Sequence, residues 1–332
     1  MLLGMSTSPP PSTAKVAAER RNGPFRGIQG VILTITLSAS LAVLALPFLR
    51  PDGGRRSPLQ IVVAEPEILG RDARLDPREH QLRVEAVRDG LERQLHGRQG
   101  LKVVRFFVPQ LRALELARQL GADEILSPRL RSAPFGVRLG LSRQRTIDGI
   151  IVWQRDEVQL AAEDLRFVDR ALGEQLQLAF IRYERPPAAV QLYAEAADYE
   201  AFLRLRLEAR ASGDWRQLLP RLEALRRGSP RFFEAYFWPA RWLAKAPEKT
   251  PEEVAKALML LEQSKQIAPA DSRSFELAFH LLLESGRREE AEQQLTQLEK
   301  LLPGDPSLVS WRSLLGEESA KGALLDQRER LP

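Results

Sequence analysis

Few side chains in this chain can do covalent or acid–base chemistry. There is no cysteine, so thiol nucleophiles, disulfides and thiolate-held zinc or iron–sulfur sites are excluded. The three histidines, His80, His96 and His280, stand far apart and at no metal-ligand spacing, which predicts neither metal nor cofactor. Within residues 58–185, acidic pairs such as Asp156-Glu157 and Glu163-Asp164 are the candidates for acid–base work. They flank a predicted helix start, where acids stabilise the helix dipole, and this structural role is the stronger reading. Arg129, Arg131, Arg138, Arg143 and Arg145 recur on predicted strands. They are expected either to form a basic sheet face open to an anion or acidic partner, or simply to be solvated edge protection.

The elements that must position these groups begin with a membrane anchor. No charge falls between Arg26 and Arg50, and residues 27–49 read as one membrane-spanning helix, since about 20 apolar residues cross a bilayer. The run is too long for a cleaved signal core and lacks a small-residue cleavage site. Lys15, Arg20, Arg21 and Arg26 precede it, against Arg50, Arg55 and Arg56 after it, a slight bias that places the N-terminus in the cytoplasm. Residues 1–26, with Pro9-Pro10-Pro11, read as a disordered tail and 50–57 as a linker. The bulk of the chain is then periplasmic, held at a bacterial inner membrane.

Residues 58–185 predict a mixed-sheet α/β domain in the order β-α-β-α-β-β-β-α, with helices on one face. Gln60–Ala64 reads as a buried strand, and Leu82, Val84, Val87, Leu91 and Leu95 as the apolar stripe of a helix over 78–96. A strand at Leu101–Val104 follows. Pro109 is expected to open a helix burying Leu111, Leu114, Ala117 and Leu120, ended by Gly121. Gly136–Arg143 alternates apolar and polar residues as a half-buried antiparallel strand does, and a last helix covers about 164–182.

The succession Asp89-Gly90-Leu91, Gly100-Leu101-Lys102-Val103-Val104, Leu120-Gly121-Ala122-Asp123-Glu124-Ile125-Leu126 and Trp153 resembles a TolB amino-terminal-like domain. That module lies outside the membrane in some bacterial receptor-type serine/threonine kinases, adenylate cyclases and winged-helix regulators, and tetratricopeptide repeats often follow it. The chain departs from the pattern at Ser127-Pro128, where a glycine is expected. Proline lacks a ladder donor, which predicts an edge or bulged strand there.

Residues 190–328 carry the sharpest periodicity. Pro269 and Pro303 lie 34 residues apart, one tetratricopeptide length, each preceded at matching distances by Ala257 or Ala291 and by Leu261 or Leu295. Gly213 and Gly286 stand 17 residues before Pro230 and Pro303, and the middle unit carries about five extra residues near 245–250. The fold expected is therefore α/β plus all-α: a transmembrane helix, a mixed-sheet domain and a tetratricopeptide-like α-solenoid. Transferring the repeat phase assigns the groove to Glu200, Leu203, Leu207, Arg210, Glu234, Phe237, Arg241, Arg273, Glu276 and His280. The aromatics Phe232, Phe233, Tyr236, Phe237, Trp238 and Trp242 read as core between helices rather than a ligand cage.

The formal charge of +5 divides into +3 over 1–26, +4 over 50–185 and −2 over 186–332, with no dense basic block, which argues against nucleic acid. The function expected is a non-enzymatic sensor or scaffold taking a protein or peptide partner in the groove. The alternative is the sensory half of a kinase-type or winged-helix-type receptor, served by a separately encoded kinase or regulator. No glycine-rich nucleotide loop occurs, and a hydrolase lacks a nucleophile–base pair. Oligomeric state is left open.

Overall fold

The structure, a computed structural model, describes residues 57–69, 77–133, 136–161, 164–183 and 194–316. The expected tail, membrane helix and linker through residue 56 lie outside the described residues. Among the described residues, no helix is long and apolar enough to cross a membrane. The chain divides into residues 1–56 and Ser57–Pro332, and the second is described here.

The first half is a mixed α/β layer. Strands β1 (Leu59–Ala64) and β2 (Glu67–Leu69) lead to helix α1 (Pro77–Leu95), strand β3 (Leu101–Val108) and helix α2 (Ala113–Gln119). Strands β4 (Glu124–Ala133), β5 (Gly136–Arg145) and β6 (Ile151–Ala161) then form an antiparallel meander closed by helix α3 (Arg166–Ala179). The sheet order is β3-β1-β4-β5-β6, with β1 parallel to both neighbours and β2 continuing beside β4. Ile61 and Val63 face α1 and α3, whereas Val62 and Ala64 face α2. Burial on both faces is why β1 is apolar without alternation.

Three expectations need correction. Helices cover both faces, because α2 packs against Val62 and Ile125 opposite α1 and α3. Of the expected stripe of α2, Ala117 is buried and Leu114 partly so, joined by Ala113, while Leu111 is fully exposed at 102% and Leu120 is also exposed. Leu111 belongs to a single 3-10 turn over Gln110–Arg112 that precedes the helix proper, which starts at Ala113. Pro128 lies within central β4, so of the two alternatives the edge is overturned, while the ladder beside it is irregular, four residue steps from Val63 to Glu67 running beside three from Leu126 to Arg129. Pro128 falls between the last β1 pair, Val63↔Leu126, and the first β2 pair, Glu67↔Arg129, a gap in the ladder on that side.

The second half consists of helix pairs: α4 (Ala196–Ser212) with α5 (Leu219–Gly228), α6 (Glu234–Ala244) with α7 (Pro251–Ile267), and α8 (Ser272–Glu284) with α9 (Arg288–Leu301). Residues 306–316 form a further helix, α10. Gly213 caps α4 at φ 70°, a left-handed conformation that glycine adopts without strain. Ala257, Leu261, Ala291 and Leu295 are buried between helices. The connection at 245–250 is longer than that at 285–287, and α7 starts with a capping box in which the Thr250 hydroxyl accepts from the Glu253 N–H.

The expected division into 58–185 and 190–328 does not divide the core. Tyr199, Phe202, Leu203, Leu222 and Phe232 belong to the same buried cluster as Ile61, Leu91, Leu126 and Leu172. Sheet and first helix pair are one packed body.

Candidate functional site

Beside that shared apolar cluster, a row of buried charges runs along the seam of the body. On α1, Glu85, Asp89 and Arg93 follow one another at helical spacing and share one stripe, continued past the helix end by His96. This stripe is buried against α4, α6 and α8. Asp89, 2% exposed, accepts from the Tyr199 hydroxyl at 3.0 Å, from Arg206 at 2.5 Å and pairs with Arg93 at 2.8 Å. Arg93 reaches Asp169 on α3 at 3.0 Å and lies 3.7 Å from Glu234 on α6. Arg206 also holds Glu85 at 2.7 Å and Glu92 at 3.2 Å. Arg210 donates to Glu85 at 3.0 Å, and Arg273 joins Glu234 at 2.9 Å to Asp271 at 2.7 Å.

Burial works against ionisation of Asp89, but Arg93, Arg206 and the Tyr199 hydroxyl outweigh it and hold the carboxyl below its ordinary range. For Glu85 and Glu234 burial prevails over the neighbouring arginines and the carboxyls are pushed up. His96 loses hydration, yet Glu276 at 2.9 Å raises its pKa above the ordinary 6.5.

One constellation in this seam has the residue types of a nucleophilic triad. His96 Nε2 lies 2.9 Å from Ser272 Oγ and 2.9 Å from Glu276 Oε1. A relay needs the acid on the other ring nitrogen, so that Nε2 is free to take the serine proton. Here both partners converge on Nε2, the serine also donates to Glu276 at 2.8 Å, and Ser272 is only 3% exposed. The geometry is an ion-pair clasp between the end of α1 and the start of α8. Among the described residues no group of three or more His, Cys, Asp or Glu is placed to hold a metal.

The residues assigned to the groove are mostly spent on this seam. Arg210, Glu234, Arg241 and Glu276 reach Glu85, Arg93, Glu92 and His96 on or just beyond α1, Arg273 acts through Glu234, and Leu203 is in the shared core. Leu207 is half-buried against that core. Glu200 faces away and pairs with Arg204 on the helix surface. The middle of the expected groove therefore holds the chain's own α1. Beyond the end of α1 a depression of about 240 Å³ remains, lined by His96, Phe106, Phe237, Arg241, Lys245 and His280 among others. Arg241 beside it, together with burial, holds the Lys245 ammonium below its ordinary value, and burial lowers His280.

The aromatic residues knit the core. Phe202 meets Phe232 edge-on at 5.2 Å, and the guanidinium groups of Arg206 and Arg241 lie over the Trp238 ring at 4.2 and 4.6 Å from its centroid. The strand arginines separate. Arg129, Arg131 and Arg138 share the sheet face that α2 covers further along, whereas Arg143 is held by Glu124 at 2.7 Å over the Phe180 ring, and Arg145 by Asp148 at 2.5 Å. Of the expected acid pairs, Asp164 forms an ion pair with Arg166, which lowers its pKa. Glu163 lies outside the described residues, as do the side chains of Asp156 and Glu157. The buried stripe on α1 was readable only as charges at one-turn spacing, a pattern shared with a solvent-facing helix side.

No protein-family model matches the sequence, and no curated protein matches it. Among solved structures it is similar to the PelC dodecamer from Paraburkholderia phytofirmans, at 15% identity and a TM-score of 0.28, covering 37% of this chain and 87% of that one. A single-substitution variant of the same PelC dodecamer matches at 15% identity and a TM-score of 0.26, over 37% of this chain and 89% of that one. Similarity at this level defines neither the fold nor the activity of the chain.

Proposed function

We propose that the chain is a non-enzymatic binding protein of the bacterial envelope, anchored in the inner membrane by residues 27–49 with its bulk in the periplasm. In this reading the TolB amino-terminal-like sheet domain is locked onto tetratricopeptide-type helix pairs, and a protein or peptide partner enters the part of the groove that α1 leaves open. The observation that supports it is the depression beyond α1, with Phe106, Phe237 and Leu277 in its lining and Arg241 and Lys245 beside them. An apolar side chain flanked by acids on the partner would fill the floor and relieve the repulsion between the two cations.

The test is photo-crosslinking in cells from a benzophenone amino acid at Leu277 of the full chain. A discrete protein adduct that disappears on Lys245→Glu and survives Glu200→Gln supports the reading. Absence of any adduct, or one indifferent to Lys245, overturns it. A C-terminal reporter active only outside the cytoplasm tests the location separately, and activity in the cytoplasm overturns the topology.

A further inference from the structure

Apolar side chains collect at one end of the sheet. The Leu59 N–H, opening β1, donates to the Gly100 carbonyl at 2.9 Å, and the Gln60 N–H to the Asp123 carboxylate at 2.8 Å, just before β4. The Thr146 N–H donates to the Asp123 carbonyl at 2.9 Å, which puts the turn between β5 and β6 at this same end. Arg118, near the end of α2, donates to the Thr146 carbonyl, and Arg143 to the Ala179 carbonyl at the end of α3. Exposed here are Ile147 at 83% and Ile150 at 52% on the turn, Ile151 opening β6, Leu120 after α2 and Ile181 at 72% after α3. Turn tips ordinarily carry Gly, Asn, Asp or Ser, and the isoleucines on either side of Asp148-Gly149 fill no core. Among the described residues from α4 to α10, by contrast, the exposed large apolar side chains are Met259, Val309 and Leu314, a scatter normal for a protein surface.

What covers this end follows from where the chain enters it. Ser57 and Pro58 lead directly into β1. In the anchored reading above, eight residues, 50–57, separate the membrane span from that strand, and eight residues extend at most about 28 Å. The end of the sheet that exposes isoleucine is therefore the end tethered to the bilayer. Charge agrees: Lys102, Arg118, Arg145 and Arg182 stand at this end against Asp123 and Asp148, an excess suited to anionic lipid headgroups. We propose that this end of the sheet rests on the periplasmic leaflet of the inner membrane, with Ile147, Ile150 and Ile181 entering the boundary between headgroups and acyl chains and the basic residues level with anionic headgroups. The inference rests on the anchored reading of the chain and uses no residue of the peptide site.

Because the chain has no cysteine, single cysteines can be introduced and labelled with a nitrobenzoxadiazole dye. The test is quenching of that dye in the full chain, one chain per nanodisc, by lipid carrying a nitroxide high on its acyl chain. The bilayer is phosphatidylcholine with about a quarter phosphatidylglycerol. Dyes at Ile147→Cys, Ile150→Cys and Ile181→Cys should each lose about half of their emission or more, and one at Met259→Cys less than about a tenth. Adding Ile147→Asp and Ile150→Asp should lower quenching at Ile181→Cys about twofold or more, since carboxylates stay out of the acyl boundary. A dye at Val43→Cys reports the anchor by itself. Quenching there with none at Ile147→Cys overturns this inference and leaves the anchored reading standing, whereas absence at both overturns both. Equal quenching at Met259→Cys, the mark of non-specific adsorption, overturns the proposal, as does cross-linking of two chains through Ile147→Cys without lipid quenching, which makes a second copy the occupant.

Discussion

Asp89→Asn tests whether the charged seam holds the two halves together. Asparagine keeps the shape of the side chain and an oxygen for the Tyr199 hydroxyl at 3.0 Å, but removes the charge that faces Arg93 and Arg206 and turns the Arg206-facing oxygen from an acceptor into an N–H donor. Breaking a buried ion pair from one side costs about 3–5 kcal/mol, because the remaining charge stays desolvated. Here Arg93 retains Asp169 at 3.0 Å, and Arg206 retains Glu85 at 2.7 Å and Glu92 at 3.2 Å. The low end of that range, about 3 kcal/mol, therefore applies, or a fall in melting temperature of about 6–12 °C for a body of this size. Urea unfolding followed by tryptophan fluorescence reads it directly, since Trp238 stacks on Arg206 at 4.2 Å. Signals of the sheet and of the first helix pair should be lost in one transition, as their core is continuous. Glu200→Gln, which removes an exposed pair with Arg204, should cost less than about 1 kcal/mol. In the double variant Asp89→Asn with Arg206→Met the loss should fall short of the sum by about 1–3 kcal/mol, since the orphaned cation goes too. A loss on Asp89→Asn no larger than that of Glu200→Gln refutes the reasoning.

The His96–Glu276 clasp should make stability depend on pH in a stated direction. His96 has a folded pKa above 6.5, so its contribution is complete below that value and is lost as pH rises through the raised pKa. Burial opposes ionisation of Glu276, but His96 holds its carboxyl below 4.5, so its share is complete above 4.5 and is lost as pH falls through the lowered pKa. The stability difference between the full chain and its His96→Gln variant should be largest between these values and shrink toward pH 9, as measured by urea unfolding across pH. A difference independent of pH excludes the charged clasp. Thr250→Ala removes the acceptor for the Glu253 N–H at 3.2 Å and should cost about 1 kcal/mol, seen as a lower urea midpoint with unchanged slope.

What could be read in advance followed apolar periodicity. The alternation along β5, the left-handed Gly121 after α2, and the spacing that buries Ala257, Leu261, Ala291 and Leu295 all depend on local pitch, which sequence displays. Ala117 faces Val62 as its spacing implies, but the exposure of Leu111 was not legible, since a 3-10 turn after Pro109 holds it outside the helix. The central place of Pro128 depends on where β1 stops and β2 starts, and no feature of β4 itself records that gap. The seam was hidden for a stronger reason. Asp89 and Arg206 are 117 residues apart, and each looks solvent-facing within its own helix. Burial of either is tolerable only because the other is there. Likewise, the repeat phase placed Arg210, Glu234 and Glu276 toward a groove, but did not reveal that α1 occupies its middle.

Charge is an uneconomical way to build such a joint if stability were all that mattered, since apolar replacements of similar volume hold as well or better. What charges add is register. Glu85 meets Arg206 and Arg210, Asp89 meets Arg206, and His96 meets Glu276, partners drawn from helices at opposite ends of the seam. A slip of α1 by one turn, about 5.4 Å, would leave at least one of these buried groups without its counterion. An apolar stripe would tolerate that slip, because methyl groups have no preferred partner. Register in turn fixes where α1 ends, and the end of α1 fixes the depression, whose lining includes Glu92 and His96 from this segment beside Arg241 and Lys245. The seam and the proposed peptide site are thus one device: the contacts that hold α1 in the helix pairs also set how much of the groove is left open.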